Sequence, residues 1–143
     1  MKLVHVVPEL KDWQRLRDGI DRVNKHSAPH LRQTFEQVSE RLIRGTASWF
    51  AVVDDALLAD LIVQTLQEDE RRALYVWLMF GAHLSKWAKF ATEQLNEVAI
   101  HNGCDRVRFH TTRDKWIHLV TDVPEEWEHT HVFTRKVTYG RSI

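Results

Sequence analysis

The sequence predicts a mixed α/β fold in which helices flank a mostly antiparallel sheet. One observation is the segment Ala73–Thr112, where a continuous apolar strand, ALYVWLMF, precedes a loop, an amphipathic helix and a second strand. The other is a set of three β-rich segments, separated by short polar turns, that ends in this apolar strand. The chain has 143 residues, enough for a hydrophobic core, so we predict one domain over residues 1–143.

The first part of the chain predicts one strand and two helices. Residues 2–7 (KLVHVV) form the strand, and Pro8 ends it. Apolar residues at helical spacing predict a helix over Leu10–Asn24, which carries Gly19 at some cost in helix stability. The same spacing predicts a second helix over Leu31–Arg44, with the following glycine as its C-terminal cap.

The three β-rich segments form a predicted meander. The aromatic and β-branched segment Ser48–Val53 is the first strand, and two aspartates mark the turn after it. Leu57–Gln67 continues as its hairpin partner, and the polar run EDERR makes the second turn. Ala73–Phe80 is the third strand, whose unbroken apolar run is typical of a strand buried on both faces.

The last part of the chain predicts a long helix, a strand, a short helix and a final strand. The long helix covers Lys86–His101, and a nearby glycine ends it. A strand follows over Asp105–Thr111, then a short helix over Arg113–Val120 and a last strand over Trp127–Val137. The complete predicted order is βααβββαβαβ.

Composition and charge disfavour several classes of partner. The formal net charge is zero, so no strong field favours nucleic acid or an anionic membrane. The single cysteine, Cys104, excludes an intrachain disulfide, and its helix-to-strand position favours a small buried residue over a nucleophile. No apolar run has the length of a membrane span or of a signal peptide's hydrophobic region. We therefore expect a soluble, cytoplasmic protein.

Metal chemistry has one candidate pair. His129 and His131 lie on one face of the last predicted strand, because side chains repeat every second residue. A zinc site needs further ligands, and no cysteine or carboxylate motif completes the pair at a recognisable spacing. We therefore predict no metal site. The sequence also lacks the glycine patterns of a P-loop or a dinucleotide-binding fold.

The predicted order of elements, nearly from end to end, resembles the GNAT superfamily of N-acetyltransferases. In that fold acyl-CoA lies in a gap between the strands equivalent to Ala73–Phe80 and Asp105–Thr111. Its pyrophosphate rests on the loop that leads into the long helix, where exposed N–H groups and the positive helix end favour phosphate. The resemblance therefore implies acetyl-CoA as the cosubstrate.

The phosphate loop of this family follows the pattern Gln or Arg, two residues, Gly, one residue, and Gly or Ala. The pattern falls on HLSKWA, and only Ala88 matches it. His83 takes the Gln/Arg position, and Lys86 puts bulk where a glycine lets phosphate oxygens approach the main chain, although its ammonium can itself contact phosphate. The resemblance implies eight cofactor-binding residues, with the main chain of the first along the pantetheine arm: Leu78, Phe80, His83, Leu84, Ser85, Lys86, Trp87 and Ala88.

The catalytic residues that the resemblance implies also depart from the family. Many members carry a tyrosine on the short helix as general acid toward the departing thiolate, and here that position falls near Leu119 and Val120. A base near the amine is often a glutamate or a histidine. His110, late in the strand after the long helix, is our candidate for this base, and Asp60 and Gln64 on an earlier strand are further ones. A purely structural role is the alternative for each.

Within this family the sequence is most similar to the small GNAT-like proteins of tailed bacteriophages. The similarity is carried by TTRDKWIHLV, by HVFTRKV and by the altered phosphate loop. The favoured hypothesis is a phage protein that binds a phage structural or host protein, in the virion or during its assembly in the host cytoplasm. Trp127 and Tyr139 are candidate contacts for that partner. The alternative is an acetyl-CoA-dependent N-acetyltransferase acting on an amine or a protein.

Overall fold

A computed structural model of the chain describes residues 1–25, 27, 29, 32–110, 127–129 and 132–136, with residues 109–110 and the last two segments given by their backbone. This part of the chain contains strands and helices in an order close to the predicted one. In chain order they are β1 (Lys2–His5), α1 (Leu10–Lys25), α2 (Phe35–Arg44), β2 (Ala47–Asp54), β3 (Ala56–Glu68), β4 (Arg71–Gly81), α3 (Leu84–His101), β5 (Arg106–His110), β6 (Trp127–His129) and β7 (Val132–Lys136).

The strands form one seven-stranded sheet in the order β1-β2-β3-β4-β5-β7-β6. β1 pairs antiparallel with β2, and β7 pairs antiparallel with both β5 and β6. β4 and β5 pair in parallel, and α3 connects them, as a strand–helix–strand unit requires. The predicted fold class, a mixed and mostly antiparallel sheet flanked by helices, is confirmed.

The chain forms two compact units. The first contains Met1–Val63 and Leu78–Ala82, and the second contains Gln64–Trp77 and His83–Ile143. β3 and β4 therefore each contribute residues to both units. The single domain over residues 1–143 stays a prediction.

The first unit has its core where α1 and α2 meet β2 and β3. The Trp13 ring joins these elements, since its centroid lies 6.1 Å from that of Phe35 and 6.2 Å from that of Trp49. The Arg17 guanidinium covers the Phe35 ring at 4.0 Å from its centroid. Buried apolar side chains come from all four elements: Leu16, Ile20, Val38, Ala47, Trp49, Ala51, Val52, Ala59, Leu61, Ile62 and Val63.

Gly19 makes room for a core side chain of β4 within the first unit. A Cβ atom added at Gly19 would lie 2.3 Å from the Phe80 ring, well inside the usual separation of nonbonded carbons. Phe80 is buried in the core of this unit. The glycine that weakens α1 as a helix is therefore required by packing, because a larger residue would displace the ring.

The second helix begins later than predicted, at Phe35 instead of Leu31. Thr34 caps it: its hydroxyl accepts from the Gln37 amide at 3.2 Å, and the Gln37 side chain accepts from the Thr34 amide at 2.9 Å. The amide of Gln33 donates to the Asn24 side chain at 3.1 Å, outside any helix pattern. These bonds fix the start of α2 and keep the preceding residues out of it.

The prediction of one strand over Trp127–Val137 is wrong, because the structure has the two strands β6 and β7 there. They pair antiparallel, with His129 opposite Phe133, so the chain reverses between them. Side chains alternate in both strands of a hairpin, which is why the segment resembles a single strand in sequence. The predicted short helix over Arg113–Val120 lies outside the described residues.

Smaller differences concern the ends of elements. β1 ends at His5, although the Val6 amide still donates to the Trp49 carbonyl at 2.8 Å. α3 begins at Leu84, two residues before the predicted start at Lys86. The three strands of the meander are each longer than predicted, because the turns between them take only one and two residues.

The second unit packs α3 beside β5. The helix ends at His101, and Gly103, with φ 68°, makes the predicted turn after it. Burial raises the pKa of the Cys104 thiol, as expected for a structural cysteine and not for a nucleophile. The buried side of α3 is mainly apolar and includes two polar residues: Trp87, Ala88, Ala91, Thr92, Leu95, Asn96 and Ala99.

Replacing Gly19 tests the packing of α1 on β4. Gly19→Ala is expected to lower the free energy of unfolding by about 1–3 kcal/mol, because the added methyl group collides with Phe80. Helix propensity alone would have the opposite effect, a gain of about 1 kcal/mol. Urea unfolding followed by circular dichroism measures the difference.

A double variant provides the control for this substitution. Gly19→Ala combined with Phe80→Leu should lose less stability than the sum of the two single variants, since the smaller side chain leaves space for the methyl group. Additive losses, or a Gly19→Ala protein more stable than the parent, would contradict the contact.

Candidate functional site

The carboxyl end of β4 is held firmly within the first unit. Leu78 and Phe80 are both buried, and the Phe80 ring rests against α1. The Ala82 amide donates to the Leu58 carbonyl at 3.2 Å, and a Cβ atom at Gly81 would lie 2.4 Å from that same oxygen. This close approach needs glycine at position 81. Leu78 and Phe80 are therefore core residues of the first unit, and their role in binding acetyl-CoA stays a prediction.

The parallel pairing of β4 with β5 covers only the first part of β4. It runs from Ala73 opposite Arg106 to Val76 opposite Phe109, while β4 continues to Gly81. The main chain of β4 beyond Val76 is therefore outside this register. In the fold that the sequence resembles, the corresponding stretch is the one implied to run along the pantetheine arm.

The first turn of α3 has the properties of an anion site. Its N-cap residue, His83, has left-handed backbone angles (φ 57°, ψ 50°), and within the described part of the chain its side chain makes no capping hydrogen bond. The Lys86 amide donates to the His83 carbonyl at 2.9 Å, so the amides of Leu84 and Ser85 precede the first bond of the helix. The side chains of His83, Ser85 and Lys86 are exposed.

The other two helices begin differently. In α1 the Asp12 carboxylate accepts from the Glu9 amide at 2.9 Å, a bond that lowers the pKa of Asp12. In α2 the capping box satisfies the amides of Thr34 and Gln37, and Glu36 adds a negative charge. The first turn of α3 carries Lys86 and no acidic residue. The positive end of its dipole is therefore reinforced by a cation where the other two helices have an anion.

The remaining predicted cofactor residues serve the core of the second unit. Trp87 and Ala88 are buried on the inner side of α3, and Leu84 is half-buried. Ala88, the one residue that matches the family's loop pattern, thus fills a core position. In the HLSKWA segment, residues 83–86 are exposed or half-buried and the two residues after them are buried, as expected where an amphipathic helix begins.

His110 is the last residue of β5, and its main chain pairs opposite Val132 of β7. It belongs to the second unit, as does the start of α3. A strand end is a suitable position for a catalytic side chain, and its role as a general base stays a prediction. Leu119 and Val120, where the family has its tyrosine, lie outside the described residues.

Asp60 is a structural residue in the first unit. Its two carboxylate oxygens accept hydrogen bonds from the Arg15 guanidinium at 3.0 and 3.1 Å and from the Trp49 indole at 2.8 Å. Burial alone would lower the pKa of Arg15, but the hydrogen bonds and charges of Asp60 and Asp12 raise it overall. A carboxylate so fully engaged is a poor general base, and the structural alternative fits it better. Gln64, the other candidate on β3, is also buried.

The described residues contain neither a cluster of metal ligands nor a membrane-spanning helix. No three His, Cys, Asp or Glu side chains cluster there in a way that could hold a metal ion. Thr130 and His131 fall outside these residues, so the absence of a metal site stays a prediction. Among the helices described, none is both long enough and apolar enough to cross a membrane.

Comparison with solved structures gives a consistent result. A protein from Desulfovibrio desulfuricans assigned to the GNAT family of acetyltransferases superposes with a TM-score of 0.61 at 13% identity, covering 96% of this chain and 99% of its own. A GNAT-family acetyltransferase from Staphylococcus aureus Mu50 has a TM-score of 0.57 at 12% identity, covering 96% and 100%. The chain has the GNAT acetyltransferase fold. The ribosomal-protein-S5-alanine acetyltransferase from Vibrio fischeri agrees, with a TM-score of 0.58 at 11% identity over 99% and 97%.

These comparisons confirm the fold that the sequence resembles. At such low identity they show the GNAT fold and no particular activity. No family model and no curated protein sequence matches the chain. The narrower resemblance to phage proteins draws no support from these neighbours, which are acetyltransferases of bacterial origin.

Replacing Asp60 separates its structural role from a catalytic one. Asp60→Asn should lower the free energy of unfolding by about 3 kcal/mol, the low end for breaking a buried ion pair, because Arg15 is partly exposed and keeps Asp12. Urea unfolding measures the loss. Asp21→Asn, at an exposed position of α1, is the matched control and should change stability by less than about 0.5 kcal/mol. Equal stability of the two variants would rule out a structural role for Asp60.

Proposed function

We propose that the protein is an acetyl-CoA-dependent N-acetyltransferase acting on a primary amine. The observation that carries the proposal is the start of α3, a cationic helix end without a side-chain cap, in a chain with the GNAT fold. The sequence favoured a phage binding protein because its phosphate loop lacks glycine. The first turn of α3 nevertheless supports anion binding, so the enzyme is now the better hypothesis. The phage partner, the virion role and the cytoplasmic location stay predictions.

The pyrophosphate of acetyl-CoA is proposed to bind at the first turn of α3. The amides of Leu84 and Ser85 have no acceptor inside the helix, since they precede its first bond. Phosphate oxygens are suitable acceptors for such amides, and the helix dipole favours their negative charge. The Lys86 side chain is exposed, so its ammonium is available to neutralise phosphate charge. The lysine therefore replaces part of what the missing glycine would provide.

The chemistry requires a base and little help from an acid. In the transfer, the amine nitrogen forms a bond to the thioester carbonyl carbon, the C–S bond breaks and the amine loses a proton. His110 is proposed to take that proton, because a neutral imidazole is the main form of histidine near pH 7. A thiol has a pKa of about 8.5, so the departing thiolate can be protonated by water. The apolar residues at positions 119–120 are therefore compatible with turnover.

The acceptor is proposed to be a primary amine of a small molecule or a protein. One structural neighbour, from Vibrio fischeri, is a ribosomal-protein-S5-alanine acetyltransferase. Peptides with an N-terminal alanine are therefore a useful first probe. A panel of such peptides, polyamines and amino acids, assayed for release of the CoA thiol, would define the acceptor class.

Acetyl-CoA binding should depend on Lys86. Acetyl-CoA at 100 times its dissociation constant is expected to stabilise the protein by about 2.7 kcal/mol, seen as an increase in Tm. Lys86→Glu should weaken binding about tenfold or more, because it places a negative charge beside the pyrophosphate. Lys11→Glu, an exposed lysine in the first turn of α1, is the matched control and should bind normally. No thermal shift with millimolar acetyl-CoA would disprove the proposal.

His110 should control the dependence of the reaction on pH. In the parent protein kcat/KM is expected to rise with pH, because only a neutral imidazole can accept the proton of the amine. His110→Ala should lower kcat/KM by about 10²-fold or more and remove this rise. His101→Ala, in the last turn of α3, serves as the control and should keep the parent profile. An unchanged profile in His110→Ala would assign the base elsewhere while leaving the acetyl-CoA site intact.

A further inference from the structure

β1 is the edge strand of the sheet. It stands first in the strand order, and β2 is its only neighbour among the described strands. An edge strand presents unpaired N–H and C=O groups that can bond to a further strand. This edge of the first unit is therefore a position where a further strand could pair.

The register of β1 shows which main-chain groups point outward. The Val6 amide donates to the Trp49 carbonyl at 2.8 Å, so these two residues form a hydrogen-bonded pair of the antiparallel ladder. Such pairs alternate, and Val4 opposite Ala51 is the next one. The residues between them, Leu3 and His5, therefore direct their N–H and C=O groups away from β2, toward the free edge.

The edge at β1 is only partly protected, because its short length and Lys2 act against pairing while its centre is apolar. Natural edge strands are protected by charged residues, and lysine is common among them. Here Val4 is 44% exposed and Val7 is 79% exposed, and Lys2 is the one charged residue of the strand. Val4 lies within β1 and Val7 follows it, so a partner strand with apolar side chains would cover both exposed valines.

We propose that β1 pairs antiparallel with β1 of a second copy of this chain, forming a symmetric dimer through a continuous sheet. With the two-fold axis at Val4, the outward groups of Leu3 meet those of His5 from the other copy. Val4 lies opposite Val4 of that copy, at the short spacing of a pair without hydrogen bonds.

A second copy fits this edge because the strand is complementary to itself. In the register centred on Val4, Lys2 lies opposite Val6 of the other copy, so no like charges oppose each other. The same register places Val7 opposite Met1, and both side chains are exposed in the single chain. Every exposed apolar side chain of residues 1–7 thus gains an apolar neighbour. This dimer proposal is independent of the proposed acetyltransferase activity.

His5→Pro tests the outward main-chain groups, and His5→Ala accounts for the loss of the imidazole, whose centroid lies 5.5 Å from that of Phe50. His5→Pro removes an N–H that the chain itself does not need, since it points away from β2, and proline is tolerated at such edge positions. Two hydrogen bonds of the dimer are lost, so its dissociation constant should rise about tenfold or more. His5→Ala keeps the N–H and is the matched control, which should remain a dimer.

A substitution at Val4 tests the same register without proline. Val4→Lys puts two ammonium groups opposite each other on the symmetry axis, so this variant should be a monomer. Val4→Thr is the matched control and should dimerise. Sedimentation velocity over a range of protein concentrations measures the oligomeric state of the full chain, and the Tm of each variant shows that it is folded. A monomeric parent at every concentration, or a dimer that survives both Val4→Lys and His5→Pro, would overturn the proposal. Normal acetyl-CoA binding by the monomeric variants would separate this result from the proposed function.

Discussion

The buried carboxylate of Asp60 is the interaction on which the first unit depends. It ties Arg15 of α1 and Trp49 of β2 to β3, and the Arg15 guanidinium also lies over the Trp49 ring at 5.2 Å. A charge buried this deeply is tolerated only because each oxygen is hydrogen-bonded. Once α1 is fixed in this way, its Gly19 faces the Phe80 ring, and the end of β4 is held in place. Within the first unit, the end of β4 is therefore held by the same helix that the Asp60–Arg15 pair fixes in place.

The proposed site illustrates that one chemical requirement can be met in different ways. A glycine loop offers bare amides to a pyrophosphate, whereas the start of α3 combines two amides of its first turn with the cation of Lys86. The loss of a sequence motif is therefore weaker grounds for loss of binding than the loss of the helix end itself. In this chain the helix end still offers two amides without an acceptor inside the helix, next to an exposed lysine.

Sequence patterns predicted the parts of the fold that are determined by residues close together in the chain. The periodicity of α3, the meander of β2 to β4 and the parallel unit around α3 are visible because each repeats a short hydrophobic pattern. The partners of Asp60 were not visible, since Arg15 is 45 residues away and any of several polar residues could have met it. The role of Gly19 likewise depends on a distant ring. The capping box at Thr34 was present in the sequence as Thr-x-x-Gln, and it was the signal that would have placed the start of α2 correctly.

His83 differs in its structural position from the other non-glycine residues that have left-handed backbone angles. Among the described residues these are Asp55, Asp69 and His83, and the two aspartates occupy the tight turns of the meander, where such angles are common. His83 occupies a helix start, where an extended conformation is usual. The left-handed backbone angles of His83 set the direction in which the chain enters α3. The entrance to α3 is thus prepared before any ligand arrives, so binding there would need less rearrangement of the main chain.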